Sequence, residues 1–215
     1  MSVPDTPWDR LYGDVKVEVA GITDAVYAQY LYRTVKDFLD MTNVWQETVP
    51  ITGMPNTFCY PFTLAGKGTP HRLLIVYDPA MATNPNNRRW LPNGASMQRP
   101  GEIIVGHAPS SQVNWEAIVS KNITEVDSQL QPDMDTDDQW IIDRYRDAFF
   151  YGTAARLQRS PGKVYTNAAL ATDNMRQYIS LRSQARTEAL RKNTFGAQAW
   201  TFPQSFATVR RGGWV

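Results

Sequence analysis

The sequence predicts an α+β fold: a helical domain with a small antiparallel β domain inserted in it, followed by an extended C-terminal tail. Three observations carry this. Apolar residues recur at helical spacing up to about Thr42 and again after Asp133, the period falls to two between them, and after Lys192 neither period holds. The boundaries that follow are an arm at 1–22, the helical domain at 23–43 and 137–192, the β domain at 44–131 and the tail at 193–215.

Residues 1–22 carry Pro4, Pro7, Gly13 and Gly21 without sustained periodicity, and read as an extended arm. Thr23 or Asp24 can cap a helix running to about Thr42. Its apolar side is Tyr27, Tyr30, Leu31, Val35, Phe38 and Leu39, with Gln29, Arg33, Lys36 and Asp37 on the other. Val44-Trp45-Gln46-Glu47-Thr48-Val49 alternates like a half-buried strand, and Pro50, lacking an N–H, limits pairing beyond it. Tyr60–Leu64 is a weaker strand. Arg72–Asp78 is apolar on both faces, the pattern of a central strand. Residues 79–89 read as a polar loop. Arg89-Trp90-Leu91 and Glu102–Val105 read as strands, with Pro92-Asn93-Gly94 and Pro100-Gly101 turning the chain between them. Trp115 to Ser120 is the last strand.

Asp137 or Asp138 can cap a second helix, Gln139 to Gln158, where acidic residues suit the helix dipole. Ser160-Pro161-Gly162 ends it, and Asn167 can cap a third helix over Ala168–Lys192. Small residues at Gly152, Ala155, Ala185 and Ala189 would let two helices approach closely.

Composition narrows the function. Charged residues make up 20 % and hydrophobic residues 42 %, ordinary for a folded domain and unlike a disordered one. A net charge of +1 argues against a surface dedicated to neutralising phosphates. No apolar run reaches the ~18–20 residues that span a bilayer, and the N-terminus shows no secretory signal, which fits a cytosolic origin. Cys59, the single cysteine, sits in Thr57-Phe58-Cys59-Tyr60 and reads as a buried structural thiol.

Catalytic and metal patterns fail on inspection. His71 and His107 lie far apart and lack metal-ligand spacing. Asp133, Asp135 and Asp137 are spaced like the first half of a calcium loop, but Asp138 and Arg144 stand where Gly and Glu are needed. Gly66-Lys67-Gly68-Thr69 is a turn, with its first glycine misplaced for a phosphate loop. Ser110 or Ser111 near His107 has no third partner, so no enzyme activity and no cofactor are expected.

Charge is unevenly distributed. Asp127, Asp133, Asp135, Asp137, Asp138, Asp143 and Asp147 make the approach to the second helix acidic. Arg156, Arg159, Lys163, Arg176, Arg182, Arg186, Arg191 and Lys192 make the rest of the hairpin basic. Two solvated faces explain this, as does a head-to-tail contact between copies in a ring, with Asp133, Asp135 and Asp137 meeting Arg182, Arg186 and Arg191.

The tail has no Asp or Glu and carries Phe195, Trp200, Phe202, Phe206, Arg210, Arg211 and Trp214. It either folds back on its own domain or docks on a partner; its composition favours docking. Extended, it reaches about 70 Å. Ordering its backbone costs about 1–2 kcal/mol per residue, more than five aromatics recover at about 1.5–3 kcal/mol each. Pairing with a receiving strand, and many tails acting together in a ring, would supply the remainder.

With these pieces placed, the chain resembles the head-to-tail adaptors of tailed bacteriophages, those of short-tailed phages related to tail tubular protein A. Tyr32–Leu39 running into Val44–Thr48 is similar to the family's first helix and strand, and Gly101–Val105 to a later strand. Tyr151–Gln158 leading into Pro161–Asn167 is similar to its helix, Pro-Gly-Lys turn and following helix. The likeness covers roughly residues 23–192; residues 1–22 and 79–89 match nothing in it. The resemblance implies a structural virion protein made in the host cytoplasm. It implies a dodecameric ring at the head–tail interface, enclosing the channel for double-stranded DNA. C-terminal tails would be clamped on the portal protein, and a lower face would receive the next tail protein. DNA contact is expected to be non-specific, weak and salt-sensitive. Another tail-completion or baseplate role is the alternative.

Overall fold

The computed structural model describes residues 7–79, 94–124 and 132–193. Within them the chain is α+β, with five α-helices and two three-stranded antiparallel sheets. The C-terminal residues from 194 onward, and the acidic Asp127, lie outside the described residues.

The first departure from expectation is at the N-terminus. Residues 7–18, expected within an extended arm, form α1 (Pro7–Glu18). Pro7 occupies the first helical position, where its missing N–H would be unpaired anyway. Trp8, Leu11 and Val15 share one face and are buried, and Val19 continues the stripe. Gly13 costs about 1 kcal/mol in a helix interior, but burial of this stripe overrides it. Trp8 meets Phe149 with ring centroids 6.1 Å apart. Gly21, at φ 85°, then turns the chain into α2 (Asp24–Thr42). Thr23 precedes α2 in extended conformation without a side-chain cap bond, and Asn43 ends it in the left-handed region.

The β region is a sandwich of two small sheets, one ordered β1-β6-β3 and the other β2-β5-β4. The strands are β1 (Gln46–Gly53), β2 (Cys59–Pro61), β3 (Thr69–Tyr77), β4 (Ala95–Arg99), β5 (Glu102–Val105) and β6 (Val113–Asn122). β1 continues past Pro50, which stands opposite Glu116. β1 is an edge strand, where a missing donor is tolerated. β3, expected to be central, is also an edge; β6 is the central strand. β3 reads apolar on both faces because Val76 enters the cluster between the sheets while Ile75 and Tyr77 join Ile118 in a second one. β4 was not anticipated. The strand expected at Arg89-Trp90-Leu91 lies outside the described residues, with most of the 79–89 loop. Between the sheets pack Val49, Ile51, Tyr60, Ile103, Trp115 and Ala117, with Tyr60 edge-on to Trp115 at 5.6 Å.

Cys59 is a further correction. Along β2 only Tyr60 points inward, so Cys59 is exposed, and its Sγ lies 2.5 Å from Glu102 Oε1. That hydrogen bond, formed by the protonated thiol, is the main reason its pKa is raised.

The expected helix over 139–158 is broken at Tyr145 (φ −112°, ψ 24°) into α3 (Trp140–Arg144) and α4 (Arg146–Gln158). α5 (Ala168–Asn193) follows the Pro161-Gly162 turn. Asn167 caps it as expected, its Oδ1 accepting from Leu170 N at 3.1 Å. Leu31, Val35, Phe38, Phe149, Leu157 and Tyr178 centre the helical core.

Candidate functional site

Polar residues concentrate where the helices meet. Asp37 of α2 accepts hydrogen bonds on Oδ2 from Arg156 Nη2 and Arg182 Nη1, each at 3.0 Å, and from the Tyr178 hydroxyl at 2.6 Å. Arg156 Nη1 also donates to Thr34 Oγ1 at 3.2 Å and to the Gly152 carbonyl at 3.1 Å. Both guanidinium groups approach the Tyr178 ring, at 5.1 and 5.3 Å from its centroid. One carboxylate thus ties α2, α4 and α5 together. Burial, then the bond to Asp37, drives the Tyr178 phenol far above its ordinary pKa.

Gly152 makes this junction possible. A Cβ there would stand 2.5 Å from Thr34 Cγ2 and 2.7 Å from Tyr178 Cδ2, so only a glycine lets α4 sit against both neighbours. The following turn is held by Thr166 Oγ1 donating to the Ser160 carbonyl at 2.5 Å and Asn167 N to the Gln158 carbonyl at 3.0 Å.

A second set of charges fastens the β domain to the acidic approach. Lys67 Nζ pairs with Asp133 at 2.5 Å, and Lys67 N donates to Asp135 Oδ2 at 2.7 Å. Lys121 is 4 % exposed, and its Nζ sits between Glu47 at 3.1 Å and Asp138 at 3.3 Å. The same ammonium lies 4.5 Å from the Trp45 ring centroid. At this depth the two carboxylates are what make a buried cation tolerable.

These contacts redistribute the residues expected between copies. Asp133 and Asp135 bond within the chain to Lys67, and Arg182 to Asp37. Asp137, Arg186 and Arg191 are exposed. The first three are therefore tied within the subunit. The expected docking residues Phe195, Trp200, Phe202, Phe206, Arg210, Arg211 and Trp214 lie outside the described residues.

The histidine near the serines is exposed, as are Ser110 and Ser111, while His71 Nδ1 lies 3.5 Å from Asp40 Oδ1. Among the described residues no group of three or more His, Cys, Asp or Glu could hold a metal ion, and no helix is long and apolar enough to cross a membrane. Sequence reading missed Asp37 and Lys121 as junction residues. Asp37 reads as one of several polar residues on an outer helix face, and its partners lie over a hundred positions away. Lys121 carried a local signal, a lone cation directly after the strand Trp115–Ser120.

Comparison with known proteins finds no matching family model, and no curated protein matches the chain.

Proposed function

We propose that this chain is a head-to-tail adaptor of a tailed bacteriophage, a structural virion protein forming a ring below the portal protein and around the DNA channel. The observation that carries the reading is the α4–turn–α5 hairpin. The stretch that resembles the adaptor family, Tyr151–Gln158 with Pro161–Asn167, supplies Gly152, Arg156 and the cap of α5, the residues that build the junction. α5, at 26 residues, is about 39 Å long at 1.5 Å per residue, a strut rigidly fixed at Asp37 and leading directly into the acid-free aromatic segment.

In this reading the strut carries the tail segment to the portal, and exposed Asp137, Arg186 and Arg191 face neighbouring copies. The ring presents its other face to the next tail protein. DNA passing through it makes weak, non-specific contacts. The test is to locate the chain in intact particles by electron cryo-microscopy. A ring between portal and tail is the expected result; a position in the distal tail or baseplate, away from the portal, refutes it in favour of a tail-completion role.

A further inference from the structure

The outer side of α5 carries a mixed aliphatic and basic stripe. Ile179 is 46 % and Leu190 52 % exposed, while the helix buries Tyr178, Ala185 and Ala189 on its other side. Arg176, Ile179, Ser183, Arg186 and Leu190 are spaced three and four apart, which sets them in one line along a helix. Ser183 Oγ donates to the Ile179 carbonyl at 2.8 Å and Thr187 Oγ1 to the Ser183 carbonyl at 3.0 Å, so these hydroxyls are bonded within α5. What the stripe offers a neighbour is aliphatic surface and two guanidinium groups. Arg176 lies 3.5 Å from Asp173, with both side chains mostly exposed. Arg186 is exposed and has no ion pair among the described residues.

A surface of opposite character covers the run from Asp137 into α4. Trp140 is 42 % exposed. Around it Asp137, Asp143 and Asp147 are exposed and have no ion pair among the described residues. They are separate from Asp133, Asp135 and Asp138, which bond to Lys67 and Lys121. Beside Trp140 a hollow of about 220 Å³, bordered by Val44, Tyr145 and Ala189, leaves room for an incoming aliphatic side chain.

Position decides how the two surfaces can meet. Arg144 and Tyr145, within the acidic run, donate to Glu188 Oε2 at 3.0 and 3.2 Å. Glu188 lies roughly 160° around α5 from Leu190, at 3.6 residues per turn. The surfaces therefore occupy opposite flanks and do not reach each other within one chain. Stripe against stripe would set arginine against arginine, and the acidic run against itself would set carboxylates together, so both two-fold pairings are opposed. The complement of each surface is the other one on a second copy. Such a contact leaves one surface open at either end and repeats until the series of copies closes.

We propose that copies of this chain associate head to tail. The α5 stripe of one lies on the Trp140 surface of the next, its arginines facing Asp137, Asp143 and Asp147 and an aliphatic side chain entering beside Trp140. The inference deepens the adaptor reading, on which closure around DNA rests; the pairing itself follows from charge and position. Exposed ion pairs are individually weak and screened by salt. Two copies alone hold together poorly, and a closed ring, with each copy held on both flanks, holds well.

The test is sedimentation of the full chain at about 0.1 M salt, where charges act over about 10 Å, and at about 1 M, where they act over about 3 Å. Assemblies larger than a dimer are expected at the lower salt, shifting toward monomer at the higher. Arg176→Glu with Arg186→Glu, and separately Asp137→Lys with Asp143→Lys, should each give monomers. Mixing these two variants should restore assembly, since each surface again meets its opposite. A monomeric unmodified chain at the lower salt overturns the proposal, as do assemblies that stop at a dimer, a reversal that leaves assembly unchanged, or a mixture that stays monomeric. If a reversal variant loses its helical circular dichroism, Leu190→Ser decides: weakened assembly supports the contact and unchanged assembly overturns it. The place of the chain in intact particles is read separately. Assembly through these surfaces without a position below the portal counts against the adaptor role alone, and a ring below the portal that survives the reversals counts against this contact alone.

Discussion

The Asp37 carboxylate lies 3.0 Å from the Arg156 guanidinium across 119 positions of sequence, and the same oxygen holds Arg182 and Tyr178. Asp37 is therefore an anion shared by two cations in a partly buried junction. Replacing it by Ala removes the acceptor that both cations and a phenol share, although Arg156 keeps Thr34 Oγ1 and the Gly152 carbonyl. Asp37→Ala is expected to lower stability by about 2–3 kcal/mol, read as a lower midpoint in urea with an unchanged slope. Arg182→Ala, which leaves Arg156 and Tyr178 on the carboxylate, should cost less.

The close approach at Gly152 gives a steric prediction. Gly152→Ala removes an unfavourable helical glycine, which by propensity alone would stabilise α4 by about 1 kcal/mol. The clash with Thr34 and Tyr178 opposes this, and overpacking of that kind costs about 1–3 kcal/mol. Net destabilisation is expected in thermal unfolding; Gly152→Ala combined with Thr34→Ser, which removes one of the clashing atoms, should recover part of it.

The N-terminal helix belongs to the core. Trp8 is 3 % exposed and packs on Phe149, so Trp8→Ala should destabilise by about 3–5 kcal/mol. An extended arm would have shown almost no effect in the same denaturation experiment.

Alkaline pH should unfold the chain through two phenols. Burial holds the Tyr27 pKa, and burial with the Asp37 bond the Tyr178 pKa, above the ordinary 10.0. Both groups bind their protons more tightly folded than unfolded. Their contribution is complete below the ordinary tyrosine value and is lost as the pH rises above it. The denaturation midpoint should fall once the pH passes that value, and Tyr27→Phe should flatten the fall. The Tyr27 hydroxyl is buried without a hydrogen-bond partner among the described residues, so this replacement should be tolerated at neutral pH.

Much of the helical architecture was legible because a stripe of four or more apolar residues is hard to mistake: α2 and α5 follow their spacing closely, and Asn167 caps as its position suggests. α1 was hidden because only three residues of its stripe fall within the helix, which itself begins with a proline. The break at Tyr145 was hidden because apolar periodicity passes through it, while the Tyr145 ring packs on Phe38 at 5.2 Å and its hydroxyl reaches Glu188. β3 misled by its two apolar faces, which an edge strand also acquires when separate clusters cover each side. The charge pattern was visible as a pattern, but spacing cannot say which charges meet inside a subunit. Asp133, Asp135 and Arg182 all do.

The proposed adaptor role requires attachment by the last residues of the chain. The most direct measurement compares the full chain with one ending at Asn193, each folded by circular dichroism, for binding to the assembled portal of the same phage. The account predicts that the full chain binds and that the shortened chain stays folded but does not. Equal binding by the folded, shortened chain would contradict it.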